Sequence, residues 1–281
     1  MKIDVSEKTI IICGILRNAE KGLHRNIPVV DRLCHHFKDF HIVIYENDST
    51  DNTKEVLRVW SNTNPEKIHV LLEDTVKKES VFSAKAVRKD PFVRTQKLGE
   101  CRNRYLSYIE EQGWGADFLM VIDLDVAHID EKAILTSFNS DVDWDAVAAF
   151  GYSLSPKFKR RYHDSFALTE YGDENNPQTH EKVVGLADKY GKLKPTDEWI
   201  RVYAAFCGIA IYKFEALKGF RYVTYPNDDP VVKCRCEHYS AGKYMAKRGY
   251  DKFYINPGMV LKYQDLSWRI IINSIKRLFG V

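Results

Sequence analysis

Four short apolar segments, alternating with helical patterns, constrain this chain more than any other feature. Thr9 to Leu16 reads TIIICGIL, His41 to Tyr45 reads HIVIY, Lys67 to Leu72 reads KIHVLL and Asp117 to Asp123 reads DFLMVID. Their apolar residues are consecutive rather than alternating, and many are β-branched, as expected of strands buried on both faces. After the first strand, Leu23, Ile27, Val30, Cys34 and Phe37 recur three or four apart, which is one face of a helix. Pro28 falls inside that pattern, so the regular helix is expected to begin near Asn26, with the proline in its first turn. Val56, Leu57 and Trp60 give a short second helix. Leu98 to Gln112 gives a third, with Leu98, Tyr105 and Ile109 on one side. The order predicts an α/β fold: a mostly parallel, twisted, Rossmann-like sheet flanked by helices in one compact domain.

The second half is less regular. Ala146 to Ser153, Phe206 to Phe214 and Lys252 to Leu261 read as strands, and Tyr239 to Arg248 as a helix. Ser155 to Asp197 is polar and reads as a long loop, a length that usually serves function. Val76 to Gln96 is basic and irregular, and reads as a solvated loop. Ser267 to Val281 (SWRIIINSIKRLFGV) is amphipathic. It reads either as a helix on an anionic membrane surface or as one docked on the body.

Composition narrows the functional classes. The net charge over 281 residues is +3, which gives no case for a nucleic-acid partner. None of the six cysteines lies in a C-x-x-C pair, and the three inside apolar segments are expected to be buried thiols, which fits a reduced setting. The N-terminus lacks an apolar signal region, and no apolar run approaches the roughly 18–20 residues of a membrane span. A cytoplasmic setting is expected, with the C-terminal helix as the candidate peripheral contact at the inner membrane face.

The chemistry gathers at the carboxyl ends of the strands, where open α/β sheets bind ligands. Asp123-Leu124-Asp125 closes the strand FLMVID, and alternation lets both carboxylates point the same way. Two such acids repel each other, and a hard divalent cation, Mg²⁺ or Mn²⁺, relieves the repulsion and holds a diphosphate. YENDSTDNT (Tyr45 to Thr53) closes the second strand, where Glu46 and Asn47 are candidates for a nucleobase or ribose edge. GILRN (Gly14 to Asn18) follows the first strand, with Gly14, Leu16 and Arg17 beside the same ligand. LGECRNRYL (Leu98 to Leu106) places Arg102 to pair with phosphate or with Asp123.

In this order, the segments resemble the nucleotide-binding half of family-2-type glycosyltransferases of the GT-A fold. AFCGIAIYKFEAL (Ala205 to Leu217) resembles the fungal capsular mannosyltransferase-like group. The resemblance implies transfer of a hexose from a UDP- or GDP-sugar to a glycan, lipid-linked or other hydroxyl acceptor. It implies that Glu46 stands where an aspartate reads the base, that Asp123 faces ribose or metal, and that Asp125 coordinates the metal. KCRCEHYSAGKYMAKRG (Lys233 to Gly249) resembles the region that carries the base. Glu237 and His238 are the candidates there, Asp229 is an alternative base, and His238 is also a candidate metal ligand. The implied layout is a nucleotide-sugar half (1–126), an acceptor half (127–265) and a C-terminal helix (266–281). Two rivals stand beside it. IDLDV also fits the strand end of a haloacid-dehalogenase-type phosphatase with Asp123 as nucleophile, and His238 in place of the expected aspartate suits a non-catalytic nucleotide-sugar binder.

Overall fold

The computed structural model describes residues 2–74, 90–154 and 160–263. The C-terminal segment from Ser267 and most of the basic stretch after Val76 therefore lie outside the described residues. The first half runs β1 (Thr9–Leu16), α1 (Glu20–Cys34), β2 (Asp39–Asn47), α2 (Thr53–Thr63), β3 (Ile68–Glu73), α3 (Pro91–Glu111) and β4 (Phe118–Ile122). The second runs α4 (Glu131–Leu135), β5 (Ala146–Leu154), β6 (Arg160–Tyr162), β7 (Thr169–Glu170), α5 (His180–Tyr190), β8 (Ile200–Ala204), β9 (Ile209–Lys213), α6 (Glu237–Lys247) and β10 (Phe253–Lys262).

The strands form one sheet in the order β3-β2-β1-β4-β9-β5-β10-β8-β7, with β6 beside β5. The first four are mutually parallel, and so are β5 and β10, whereas β9 runs antiparallel between β4 and β5. This is the Rossmann-like GT-A arrangement expected from the sequence, with its parallel core intact. Alternation explains the unbroken apolar runs. Ile10, Ile12, Met120 and Ile122 enter the core on one face, while Ile11, Cys13, Leu119 and Val121 enter that on the other. Burying each such side chain contributes about 1.5–3 kcal/mol.

Three boundaries differ from expectation. Helix α1 begins at Glu20, not near Asn26, and carries Pro28 in its interior. Both Pro28 and His24, whose carbonyl loses its partner, are exposed, so water can replace the missing bond. Helix α3 begins at Pro91, seven residues before Leu98, because Asp90 caps it by accepting from the Phe92 N–H. The polar stretch after Ser155 is not a plain loop, since β6, β7 and α5 lie within it. There the Thr179 hydroxyl caps α5 by accepting from the Lys182 N–H.

All six cysteines are free and buried. Among the described residues, no helix is long and apolar enough to cross a membrane.

Candidate active site

The D-x-D turn is held from behind by α1. Gly22 lets the helix press on it, for a Cβ there would lie 2.5 Å from the Leu124 carbonyl oxygen and 2.6 Å from Asp125 Cα. One turn on, the fully buried Asn26 amide donates to the carbonyls of Leu124 (2.9 Å) and Val126 (2.8 Å). On the other side, the Asp123 N–H donates to the Gly208 carbonyl at 2.8 Å. The backbone that carries both acids is thus fixed before any ligand arrives.

The two acids differ in surroundings. Asp125 is exposed, while the Asp123 side chain retains 16% of its accessibility. Burial pushes the Asp123 carboxyl up to about 8. Arg102 opposes this, and the carboxylates of Asp125, Asp164 and Glu237 add to it. Asp125 is also raised, by loss of solvent first. Crowded acids at a strand end, offering only oxygen, fit a cation of the Mg²⁺ or Mn²⁺ kind. Such ions take one or two protein carboxylates and complete their shell with water and substrate phosphates. Among the described residues, no three histidine, cysteine or acidic side chains converge closely enough to hold a metal by themselves.

Arg102, on α3, is the positive centre of the site and is 4% exposed. Its Nε donates to Glu237 Oε1 at 3.2 Å, and its Nη2 lies 3.9 Å from Asp123 Oδ1. The guanidinium also lies 4.8 Å from the centre of the Phe206 ring. Nη1 is buried without a hydrogen-bond partner. Glu237 opens α6 and is itself buried.

The neighbouring His238 has its Nε2 3.8 Å from Glu237 Oε1 and lies among aromatic rings. Its ring stacks on Phe206 at 3.9 Å and meets Tyr222 edge-on at 5.5 Å. Neither ring nitrogen has a hydrogen-bond partner. Burial, with Arg102 adding, holds its pKa well below the ordinary histidine value, so the ring is neutral. Asp229 stands apart from the acidic group. Its carboxylate accepts from the N–H groups of Val231 and Val232, at 2.9 and 2.6 Å, and so closes a turn.

At the nucleotide end, two loops are stapled together. The Asn18 N–H donates to Ser49 Oγ, the Thr50 N–H to Asn18 Oδ1, and the Ala19 N–H to Thr53 Oγ1. Glu46 is fully buried; one oxygen accepts from the Ser49 N–H at 2.7 Å and the other has no partner. Asn47 donates to Asp48, whose φ is +59°, and Asp48 lies 3.4 Å from Lys97 Nζ. Arg17 is exposed and Leu16 buried. Gly14 lies within β1 rather than in the loop. A Cβ there would sit 2.5 Å from the Ile122 carbonyl oxygen, so this glycine serves the packing of β1 on β4, not the approach of a base.

Sequence reasoning missed Asn26, Gly22 and Asp164. Asp164 follows β6, accepts from the Cys207 N–H at 3.3 Å and is pushed up to about 6, by burial first and by Glu237 second. Its one signal was membership of the long polar segment.

A carboxylate pair at the end of the fourth parallel strand, an internal arginine counter-charge and prearranged loops over β1 and β2 are the arrangement expected of a glycosyltransferase of the GT-A class. The chain belongs to the family described as cryptococcal mannosyltransferase 1, which matches residues 9–241. That membership replaces both the phosphatase and the non-catalytic readings. No curated protein matches the sequence. Among solved structures, a mycobacterial protein is 12% identical with a TM-score of 0.50, the match covering 99% of this chain and 76% of that one. A mannosyltransferase from Pyrobaculum calidifontis, in complex with GDP-Man and Mn²⁺, is 11% identical with a TM-score of 0.47, covering 100% and 67%. Mycobacterium tuberculosis glucosyl-3-phosphoglycerate synthase, in complex with Mn²⁺, UDP and phosphoglyceric acid, is 13% identical with a TM-score of 0.49, covering 98% and 79%.

Proposed function

We propose that the protein transfers a hexose, mannose by its family, from a GDP- or UDP-sugar to a hydroxyl of a glycan or lipid-linked acceptor, in a reaction that depends on Mn²⁺ or Mg²⁺. The observation that carries the reading is the crowding of Asp123. Asp123 and Asp125 stand two residues apart at the end of β4 on a turn held by Gly22 and Asn26, with Asp164 and Glu237 adding negative charge around Asp123, and oxygen-only acids so placed suit a hard cation. Asp123 and Asp125 would hold that ion. When bound, it would offset the charge that builds on the departing diphosphate.

The chain's own groups supply the rest. Glu46, with its unpartnered buried oxygen, and Asn47 receive the base or ribose edge. Leu16 and Arg17 border the same ligand. Arg102 pairs with Glu237 and orients it toward the Asp123 side of the cleft. Of the three candidates for base, Glu237 is the one paired with the arginine that faces Asp123; His238 lies beside it, its Nε2 3.8 Å from Glu237 Oε1, and Asp229 closes a turn. Residues 1–126 form the donor half and residues 127–265 the acceptor half.

A thermal-shift panel of UDP-, GDP-, CMP- and dTDP-sugars with and without Mn²⁺ tests this. One nucleotide class should stabilise the protein, and only with metal present. Equal stabilisation without metal, or none from any donor, overturns the proposal.

A further inference from the structure

Asp164 has a place at the transfer edge that no motif assigns. The His163 N–H donates to the Gly151 carbonyl at 3.0 Å, which pins the loop after β6 to β5. The His163 ring stacks on Tyr263 with centroids 3.5 Å apart, and the Tyr263 hydroxyl donates to Asp123 Oδ2 at 3.4 Å. Asp164 and Asp123 hang on one corner of the chain. Cys207 donates its N–H to Asp164, and Gly208 accepts from the Asp123 N–H. Both corner residues are left-handed, with φ of +54° and +85°. Packing keeps the corner in place: Cys207 Sγ fills the space where a Gly151 Cβ would stand, 2.5 Å away. A backbone held in this conformation by its neighbours is a common device for fixing functional groups.

The charges separate Asp164 from its neighbours. Glu237 has Arg102 at 3.2 Å, and Asp123 has it at 3.9 Å. Among the described residues, no lysine, arginine or histidine forms an ion pair with Asp164. It is partly exposed and held by backbone amides alone, the Cys207 N–H at 3.3 Å and the Ala167 N–H as a second donor. A carboxylate in that state has lone pairs left for neutral donors. Position says which donors. Glu46 and Asn47 close β2, β1 comes next, then β4 with Asp123 and Asp125 after it, then the β9–β5 corner that holds Asp164. Strands lie about 4.8 Å apart, so Asp164 is on the far side of the acidic pair from the nucleotide loops. A donor lying along the edge would place its sugar there.

Resting on the transferase reading above, we propose that Asp164 accepts a hydrogen bond from a sugar hydroxyl at the point of transfer. The test uses full-length protein with Asp164→Asn, and Asp164→Ser as a second variant. Each is titrated with Mn²⁺ plus GDP or UDP, whichever the donor panel selects, and with the corresponding nucleotide-sugar. Transfer to methyl mannoside and donor hydrolysis are followed in parallel. Nucleoside diphosphate affinity should be unchanged, which also reports that the variant is folded. A roughly ten- to hundred-fold loss of nucleotide-sugar affinity places the contact on the transferred sugar. An unchanged donor affinity and hydrolysis rate, with an acceptor KM raised about tenfold or more, places it on the acceptor. Loss of diphosphate affinity in both variants, or no change in any measurement, overturns the assignment. A parent protein that binds no nucleotide with Mn²⁺ refutes the transferase reading itself, and the assignment with it.

Discussion

Arg102 Nε donates to Glu237 Oε1 across 3.2 Å, tying the helix that precedes the acidic strand to the helix that opens the acceptor-side motif. The two residues are 135 positions apart, and both are buried. Removing one partner of a buried pair leaves the other charge without compensation. Arg102→Met should therefore cost about 3–5 kcal/mol in urea unfolding. The double variant Arg102→Met/Glu237→Met should recover a large part of that loss while remaining inactive. A double variant no more stable than the single one would refute the pairing.

Asp123 gives a pH dependence with a definite sign. Its folded-state value of about 8 exceeds the ordinary 3.8, so between these values the folded chain keeps a proton that the unfolded chain has lost. Its contribution is most favourable below about pH 4 and declines as the pH rises toward 8. Asp123→Asn should make the metal-free protein more stable at pH 8.5, by about 2–5 kcal/mol, with the gap closing toward pH 4. Mn²⁺ with donor should reverse the order, stabilising only the parent. Thermal unfolding across pH, with and without Mn²⁺, reads both effects.

Asn26 supports the metal pair without touching it. Asn26→Leu leaves the carbonyls of Leu124 and Val126 without their donor, which should cost about 2–4 kcal/mol. The loosened turn should also weaken Mn²⁺-dependent donor binding by about tenfold. Unchanged donor affinity in a destabilised protein would confine Asn26 to stability alone.

His238→Phe separates packing from chemistry. The ring is stacked, neutral and unbonded, so phenylalanine should keep stability within about 1 kcal/mol and transfer within about threefold. A hundredfold loss of kcat with folding intact would restore His238 as base or ligand.

Much of the fold was legible because its signals are local. β1, β2, β3 and β4 each declare themselves by a few consecutive apolar residues, and D-x-D stands out because it ends such a strand. The extent of α1 and α3 was not legible, because periodicity marks the face of a helix and not where its backbone bonds begin. β6, β7 and α5 escaped notice because short, polar elements at a sheet margin draw their stability from neighbours rather than from their own pattern.

The sequence by itself determined the order of strands and helices as far as β4, the parallel core they build and the position of Asp123 and Asp125 at its edge. Each of these follows from side chains a few residues apart. Only the tertiary structure decided that Arg102 faces Glu237, that Asn26 holds the acidic turn, that His238 lies under Phe206 and that Asp164 joins Asp123 at the Cys207-Gly208 corner. The first three depend on how the helices pack on the sheet, and the last on how β9 inserts between β4 and β5. That pairing is settled by burial and register summed over the whole sheet, which no short stretch of sequence contains.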